Sequence, residues 1–413
     1  MGLSIILSIV VFLVLILLLV VILLYAKNKL VPSGDVTIDI NDGERTLTTG
    51  QGSTLLTTLS NDGIFLPSAC GGGGSCGMCK CQVLEGGGEI LPTEVNFFTR
   101  KEQAAKWRLG CQVKVKSDMK IHVPEEVLGV KKWECEVVSN RNVATFIKEF
   151  MVKLPVGETL KFRSGGYIQI DVPKYDAIRF ADFNIGDEYK EDWDSMKMWG
   201  LVTKNPEPTF RAYSMANHPA EGNIIMLNIR IATPPWDRAA GAFMNVNPGI
   251  CSSYIFSLKP GDKITISGPY GEFFVKDTPN EKMFIGGGAG MAPMRSHIFN
   301  LFQTEKTSVP VTFWYGARSR REIFYQDQFE AIEKDFPNFK FHIGLSEAKP
   351  EDNWTGPTGF IHQVIYDNYL KDHPAPEDIE YYLCGPGPMT AAVSKMLDDL
   401  GVPPENIMYD NFG

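Results

Sequence analysis

Basic charge and histidine are both scarce in this 413-residue chain. Lysine and arginine number 40 against 49 aspartates and glutamates, so the net charge is −9. We also find no basic stripe, and this charge balance argues against nucleic acid as a partner. The six histidines are scattered, and we interpret His122 and His218 as solvent-edge or internally satisfied residues rather than ligands. The length indicates two or three domains.

Charge is absent from the N-terminal run Leu3 to Tyr25, whose 23 residues include only two non-aromatic polar positions, both serine. At about 1.5 Å per residue such a helix is about 34 Å long, enough to cross a hydrocarbon core of roughly 30 Å. A buried helix of a soluble protein and a cleaved signal peptide remain as alternatives. Because Lys27 and Lys29 follow the run, the sequence predicts a single-pass anchor over residues 1–28 with the catalytic domains in the cytoplasm.

The rest of the chain has three regions with different sequence patterns, and together they predict a multidomain α+β and α/β protein. Residues 34–130 combine alternating strands with short helical stretches in one small domain. Residues 131–278 form short alternating segments with glycine and proline turns, typical of an antiparallel barrel or sandwich, with a long surface insertion from Lys174 to Glu207. Residues 279–413 alternate strands with helices, which predicts a parallel sheet covered on both faces.

A glycine-rich loop holds four of the eight cysteines between Ser68 and Cys81. The candidate ligands are three thiols of this loop and one distant thiol: Cys70, Cys76, Cys79 and Cys111. The gaps between them are five, two and 31 residues. Three thiolates in one loop with a distant fourth are typical of an iron–sulfur cluster, and glycine lets the backbone fold tightly around it. A Cys₄ zinc site and unligated thiols are the alternatives. Strand alternation turns Cys81 away, so we interpret it as a non-ligand.

Two segments of the middle domain carry groups suited to a flavin dinucleotide. The stretch "FRAYSMAN" places Arg211, Tyr213 and Ser214 at the end of a predicted strand. Arginine can hold a pyrophosphate, tyrosine can lie against a flavin ring, and a serine hydroxyl can bond near its N5. About forty residues later, a predicted helix N-terminus suited to phosphate carries Gly249, Cys251 and Ser252.

Glycine turns in the last domain suit a nicotinamide dinucleotide. The segment "MFIGGGAGMAPMRS" sets Gly286 to Gly290 directly after an apolar strand and before a helix, and its residues of interest are Gly286, Gly288, Gly290 and Pro293. Missing side chains would let phosphates approach the turn and the helix dipole, although a purely structural turn is the alternative. A second strand end, in "YYLCGPGPM", carries Cys384, Gly385 and Pro386.

With these motifs in order, the region after the anchor resembles a ferredoxin domain fused to a ferredoxin-NADP reductase-type module. The whole chain, including the insertion and the C-terminal "YDNFG", resembles the F-subunit family of sodium-translocating NADH:quinone oxidoreductases. The resemblance implies a β-grasp [2Fe–2S] domain, an antiparallel FAD barrel and a Rossmann-like NADH domain. It also implies that Phe412 stacks on the flavin, that Ser214 assists at N5 and that Cys384 borders the nicotinamide.

The function implied is NADH oxidation by hydride transfer to FAD, with single electrons leaving through the [2Fe–2S] cluster. Partner membrane subunits would receive them, reach the quinone and move sodium across the bacterial inner membrane, since a lone uncharged helix cannot form an ion path. The non-basic stretch Leu345 to Asp352 favours NADH over NADPH, although arginines nearby could also contact an extra phosphate: Arg318, Arg320 and Arg321. A membrane-tethered reductase of an oxygenase and a non-catalytic redox sensor are the alternative functions.

Overall fold

A computed structural model describes residues 2–30 and 34–410, with side chains at 7–22, 34–125 and 127–410. Internal contacts divide the chain into two compact units. The first comprises residues 1–68 and 72–129, and the second comprises residues 69–71 and 130–413. The three-domain boundaries expected from the sequence stay a prediction.

The N-terminal run forms helix α1, Gly2–Leu30, of 29 residues. The side chains of residues 7–22 are exposed along it. Within the described residues, no helix combines the length and the apolar character needed to cross a membrane.

The first unit contains a mixed five-stranded sheet with short helices. Its elements after α1 are β1 Asp35–Ile40, β2 Arg45–Gly50, α2 Leu55–Asn61, β3 Lys80–Glu85, α3 Arg100–Ala104, β4 Trp107–Leu109, β5 Met119–His122 and α4 Glu125–Leu128. The strand order is β2-β1-β5-β3-β4, with β1 and β5 parallel and the other pairs antiparallel. Alternating residues of β1 are buried, as the period-two pattern predicts.

The second unit begins with an antiparallel barrel. Its elements are β6 Lys131–Ala144, β7 Ile147–Lys153, β8 Tyr167–Val172, β9 Tyr175–Arg179, α5 Lys190–Ser195, β10 Val202–Asn205, β11 Thr209–Ser214, β12 Ile224–Arg230, β13 Trp236–Asp237, β14 Ala242–Phe243, α6 Ile250–Ser257 and β15 Lys263–Tyr270. Six strands form one sheet in the order β11-β8-β15-β6-β7-β12. An antiparallel bridge between Met215 and Leu227 joins the two edges, so the sheet closes into a barrel rather than a sandwich.

The insertion between β8 and β11 is not confined to the surface, which corrects the expectation for Lys174 to Glu207. Strands β9 and β10 pair with each other, but the segment also sends large side chains into the barrel core. Phe180, Trp193 and Met198 are completely buried there. The Trp193 indole donates to the Thr145 carbonyl at 2.8 Å, which satisfies its polar atom. The aromatic content of the insertion therefore serves packing.

The second unit ends in a five-stranded sheet whose strands are all parallel. Its elements are β16 Lys282–Gly287, α7 Met291–Phe299, β17 Val311–Ala317, α8 Gln326–Asp335, β18 Phe339–Leu345, α9 Ile361–Asn368, β19 Glu380–Cys384, α10 Gly387–Asp399 and β20 Ile407–Asp410. The order β18-β17-β16-β19-β20 reverses direction between β16 and β19. Ligands of open α/β sheets bind at the carboxyl ends of strands where the order reverses. This topology predicts a ligand site at the carboxyl ends of β16 and β19.

A buried ion pair joins the opposite, amino ends of the same two strands. Lys282 and Glu380 are register partners, and their side chains are 3% and 1% exposed with Nζ and Oε2 at 3.0 Å. The Thr278 hydroxyl and the Tyr382 hydroxyl donate to the Glu380 carboxylate at 2.6 and 3.0 Å. The charge on Glu380 is therefore compensated by several partners, and removing Lys282 alone would leave a buried carboxylate without its counter-ion.

We predict that Lys282→Met lowers the local stability of this sheet by about 3 to 5 kcal/mol, because a buried charge without its partner is costly. Hydrogen exchange of the β16 and β19 amides in the full-length chain, read by mass spectrometry, measures the effect. The exposed pair Lys395 and Asp399, with side chains 75% and 61% exposed, provides the control. Lys395→Met should change exchange little, and equal protection in both variants would contradict the prediction.

Candidate functional site

The glycine turn after β16 and the end of β19 meet at the carboxyl edge of the parallel sheet. Gly286 is the register partner of Cys384, and β16 continues through Gly288–Gly290 into α7. A Cβ atom on Gly290 would lie 2.1 Å from the Cys384 carbonyl oxygen, so only glycine permits this approach. The structure therefore brings together the two strand ends that the sequence predicted for nicotinamide binding.

The last strand adds a carboxylate at the same edge. Asp410 ends β20 and is the register partner of Cys384. Its Oδ2 atom accepts a hydrogen bond from the Ser214 hydroxyl at 2.6 Å. Ser214 ends β11 of the barrel, so this bond joins the predicted flavin strand to the predicted nicotinamide edge. Sequence analysis missed Asp410; its signal was a carboxylate at the end of the short apolar strand "IMYD", two residues before an aromatic.

Burial determines the protonation of this edge. It raises the pKa of the Cys384 thiol well above its ordinary value, and the nearby Asp410 raises it further. Cys384 is thus a neutral thiol that borders the site. Burial also raises the pKa of Asp410 to about 6, while the Ser214 hydrogen bond acts in the opposite direction. Asp410 is neutral below that pH and negatively charged above it.

The predicted flavin residues lie on β11 and on the neighbouring helix α6. The Arg211 guanidinium donates to the Phe210 carbonyl at 2.7 Å and to the Thr209 hydroxyl at 3.0 Å. Burial, then the Cys251 thiol, raises the pKa of the Tyr213 hydroxyl, and the Arg211 charge opposes this shift. Arg211, Tyr213 and Cys251 are therefore within electrostatic range of one another.

Helix α6 begins where the sequence predicted a phosphate site. Gly249 is its N-cap residue, and no side chain caps the first turn. The Ser252 hydroxyl accepts from the Ala232 amide at 3.1 Å and donates to the Gly249 carbonyl at 3.2 Å, so it bonds within the protein. The first-turn amides have no partners inside a helix and would be the groups that receive a phosphate.

The cysteine loop lies against the segment that carries Cys111. The Cys111 amide donates to the Cys79 sulfur at 3.5 Å. Among the four predicted ligands, Cys70 and Cys76 are partly exposed whereas Cys79 and Cys111 are buried, and none of the four forms a disulfide. Across the part of the chain that is described, no three or more His, Cys, Asp or Glu side chains are arranged to hold a metal ion.

The backbone of the cysteine loop depends on glycine at two crowded positions. Gly74 and Gly77 have φ values of +77° and +70°. A Cβ atom on Gly74 would lie 2.5 Å from the Gln112 amide nitrogen, and one on Gly77 would lie 2.4 Å from the Phe97 ring. The positive φ values favour glycine at both positions, and at Gly77 the Phe97 ring also leaves no room for a side chain. Sulfur donors on such a loop match the ligand chemistry of an iron–sulfur cluster.

A buried ion pair, which sequence analysis also missed, supports the fourth cysteine. Glu94 and Arg108 side chains are 0% and 6% exposed, and Arg108 Nη2 lies 2.7 Å from Glu94 Oε2. The same carboxylate accepts from the Leu109 amide at 2.8 Å, and Arg108 Nη1 also donates to the Gly87 carbonyl at 2.9 Å. These bonds hold the backbone two residues before Cys111.

Comparisons with known proteins match each part of the chain. The 2Fe-2S iron-sulfur cluster binding domain matches residues 38–116, the oxidoreductase FAD-binding domain matches residues 200–275, and the oxidoreductase NAD-binding domain matches residues 284–395. The fold and the site thus define an oxidoreductase that joins a ferredoxin-like iron–sulfur domain to a flavin- and NAD-binding reductase module. FAD and a [2Fe–2S] cluster are the cofactors of these domains and NADH is the substrate, as the sequence predicted.

Full-length relatives identify the family. The F subunit of the Na(+)-translocating NADH-quinone reductase of Methylococcus capsulatus is 59% identical over 411 residues, with both chains covered to 100%. That of Klebsiella pneumoniae is 57% identical over 412 residues with the same coverage. The chain belongs to the F-subunit family of Na(+)-translocating NADH-quinone reductases. This membership confirms the resemblance seen in the sequence and favours it over an oxygenase reductase.

Solved structures confirm the fold class for the ferredoxin-like and reductase parts. A cytochrome P450 reductase from Amycolatopsis matches with a TM-score of 0.61 and 22% identity, covering 91% of this chain and 98% of that one. The ferredoxin reductase in carbazole 1,9a-dioxygenase matches with a TM-score of 0.58 and 25% identity, covering 92% and 99%.

We predict that NADH-dependent flavin reduction becomes slower as the pH rises through about 6, because a charged Asp410 opposes the arrival of negative charge at the site. The expected decrease is about three- to tenfold for one carboxylate at short range. Stopped-flow absorbance of the full-length chain measures it. Asp410→Asn should remove this dependence. Ser214→Ala should move its midpoint to higher pH, since the hydrogen bond from Ser214 lowers the pKa of Asp410.

The exposed Asp399 provides a matched control for loss of one carboxylate. Asp399→Asn should keep the profile of the unmodified chain. A profile in Asp410→Asn that still falls near pH 6 would show that another group titrates, and it would contradict the prediction.

Proposed function

We propose that this chain is the electron-input subunit of a bacterial inner-membrane NADH:quinone oxidoreductase coupled to sodium translocation. Beside family membership, one observation supports it most directly. A line of neighbouring residues runs from the barrel strand β11 to the glycine turn after β16. Ser214 donates to Asp410, Asp410 is the register partner of Cys384, and Cys384 is the register partner of Gly286. A flavin held by β11 and a nicotinamide held over Cys384 would be neighbours along this line. Hydride transfer needs reacting atoms about 3 to 3.5 Å apart, so this positioning is the main task of the protein.

Bound FAD would supply two-electron acceptance from NADH and one-electron release, and a [2Fe–2S] cluster would carry single electrons. The residues of the chain hold and orient these groups. Arg211 and the α6 amides near Gly249, Cys251 and Ser252 would bind the pyrophosphate. Tyr213 would lie against the ring, and Ser214 would present its hydroxyl near N5, with its orientation fixed by Asp410. Phe412, assigned to stack on the flavin, lies outside the described residues.

The nicotinamide dinucleotide would occupy the carboxyl edge of the parallel sheet. Its phosphates would approach the turn at Gly286, Gly288, Gly290 and Pro293, and its ring would border Cys384, Gly385 and Pro386. We propose a preference for NADH over NADPH. Two arginines that could contact an extra phosphate already bond within the chain: Arg321 contacts Asp192 at 2.6 Å, and Arg320 donates to the Asp352 carbonyl at 3.1 Å.

The iron–sulfur cluster would be held by Cys70, Cys76, Cys79 and Cys111. The contact between Cys111 and Cys79 and the glycine positions facing Gln112 and Phe97 support this assignment. Cys81 is completely buried on β3, and we propose that it is not a ligand.

Helix α1 would anchor the subunit as a single pass, with the catalytic domains in the cytoplasm. The uncharged run Leu3 to Tyr25 and the exposed apolar side chains within it support the anchor, and Lys27 and Lys29, which follow the run, support this orientation. The other subunits would receive the electrons, reduce the quinone and conduct sodium. An anchored donor also gains from a high local concentration beside its acceptor.

We predict that Cys111→Ala abolishes the electron paramagnetic resonance signal of the reduced cluster but leaves flavin reduction by NADH within about twofold, because the two cofactors occupy separate modules. The measurements are iron content, low-temperature resonance spectra and stopped-flow absorbance of the full-length chain. In membranes with the partner subunits, sodium-dependent quinone reduction by NADH should be lost.

Cys81→Ala is the matched control, since this thiol is also buried but is assigned no ligand role. It should retain the cluster signal. Loss of flavin reduction in a folded Cys111→Ala variant would count against separate modules for electron entry and electron exit. Loss of the cluster signal in Cys81→Ala but not in Cys111→Ala would overturn the ligand assignment.

A further inference from the structure

Gln112 places an amide beside the proposed fourth cluster ligand. Its Nε2 atom lies 3.7 Å from the Cys111 sulfur, within the range of a hydrogen bond to sulfur. Its Oε1 atom accepts from the Thr93 hydroxyl at 3.3 Å. The two ends of one side chain therefore have different partners, and only one of these is a sulfur.

The chemistry of the two partners fixes the orientation of this amide. A metal-bound thiolate has lone pairs and no proton, so it can only accept. The Thr93 hydroxyl can donate, which suits the amide oxygen. With Cys111 bound to iron, the arrangement with Nε2 on sulfur and Oε1 on Thr93 is the one that satisfies both contacts.

Buried groups hold the two segments that carry Thr93 and Gln112. Thr93 immediately precedes Glu94, and Gln112 immediately follows Cys111. The Glu94 carboxylate accepts three hydrogen bonds from the Arg108 guanidinium and one from a backbone amide. These bonds fix the segment that leads to Cys111. Gly74 leaves no side chain between the loop backbone and Gln112 Nε2, where a Cβ would lie at 2.5 Å. The amide is thus positioned by the same ion pair that positions Cys111.

We propose that Gln112 is a positioning residue that raises the reduction potential of the cluster by donating a hydrogen bond to the Cys111 sulfur. The inference rests on the proposed function, because it requires Cys111 to be a ligand. Reduction adds one electron, supplied by NADH through the flavin module, and the added negative charge spreads onto the sulfurs. An N–H dipole directed at sulfur stabilises the reduced form more than the oxidised form, and such bonds are among the determinants of cluster potential.

The test is a redox titration of the full-length chain, followed by the resonance signal of the reduced cluster. Gln112→Leu should shift the midpoint potential to more negative values, since the donor is lost. Gln112→Glu keeps the shape of the side chain, removes the donor and adds a negative charge, so its shift should be larger in the same direction. Thr93→Val should give a smaller shift of the same sign, because the amide loses the partner that orients it.

Gln82→Leu is the matched control within the same unit. The Gln82 amide donates to the Ala105 carbonyl at 3.0 Å and not to a sulfur, so its loss should leave the potential unchanged. An unchanged potential in both Gln112→Leu and Gln112→Glu, with full iron content and signal, would overturn the role of Gln112 and leave the ligand assignment intact. A chain of unmodified sequence without iron or signal would instead overturn the proposed function and this inference together.

Discussion

The hydrogen bond from the Ser214 hydroxyl to the Asp410 carboxyl joins the barrel to the parallel sheet at the candidate site. Ser214 is the last residue of the strand that closes the barrel, and Asp410 is the last residue of the edge strand of the parallel sheet. The register of β16, β19 and β20 then places Gly286, Cys384 and Asp410 side by side. If β19 or β20 slipped by one residue in this register, the Cys384 or Asp410 side chain would turn to the other face.

The parallel sheet separates its stabilising and functional polar groups. Lys282 and Glu380 pair at the amino ends of β16 and β19, where they are completely surrounded by protein. Asp410 and Cys384 lie at the carboxyl ends, where the reversal of strand order opens a ligand site. The Glu380 carboxylate has the cationic partner Lys282, whereas Asp410 accepts a hydrogen bond from the Ser214 hydroxyl and has its pKa raised by burial. The same chemical group therefore has different electrostatic character at the two ends.

The ferredoxin-like unit uses a comparable arrangement. Glu94 and Arg108 form a buried pair that fixes the backbone before Cys111, and the neighbouring residues Thr93 and Gln112 extend from it toward the sulfur. Geometry around a redox centre must be maintained through each change of charge, and a satisfied buried network supplies that rigidity. The network would serve this purpose if the neighbouring cysteines hold the cluster as proposed.

Sequence by itself determined the elements whose signals are local: the uncharged N-terminal run, the cysteine spacing, and the glycine turns that follow apolar strands, because each depends on residue type within a few positions. The surface placement of the insertion was wrong, since periodicity does not reveal that Trp193 and Phe180 reach a core built from distant strands. Only the tertiary structure decided the closure of the barrel, the partners of Asp410 and Glu94, and the contact of Gln112 with sulfur. The Ser214 and Asp410 contact joins residues 196 positions apart, and the strand register that sets it depends on packing of the whole sheet rather than on any short segment. Gln112 and Cys111 are neighbours in sequence, but the contact of their side chains depends on the conformation of the turn that carries them.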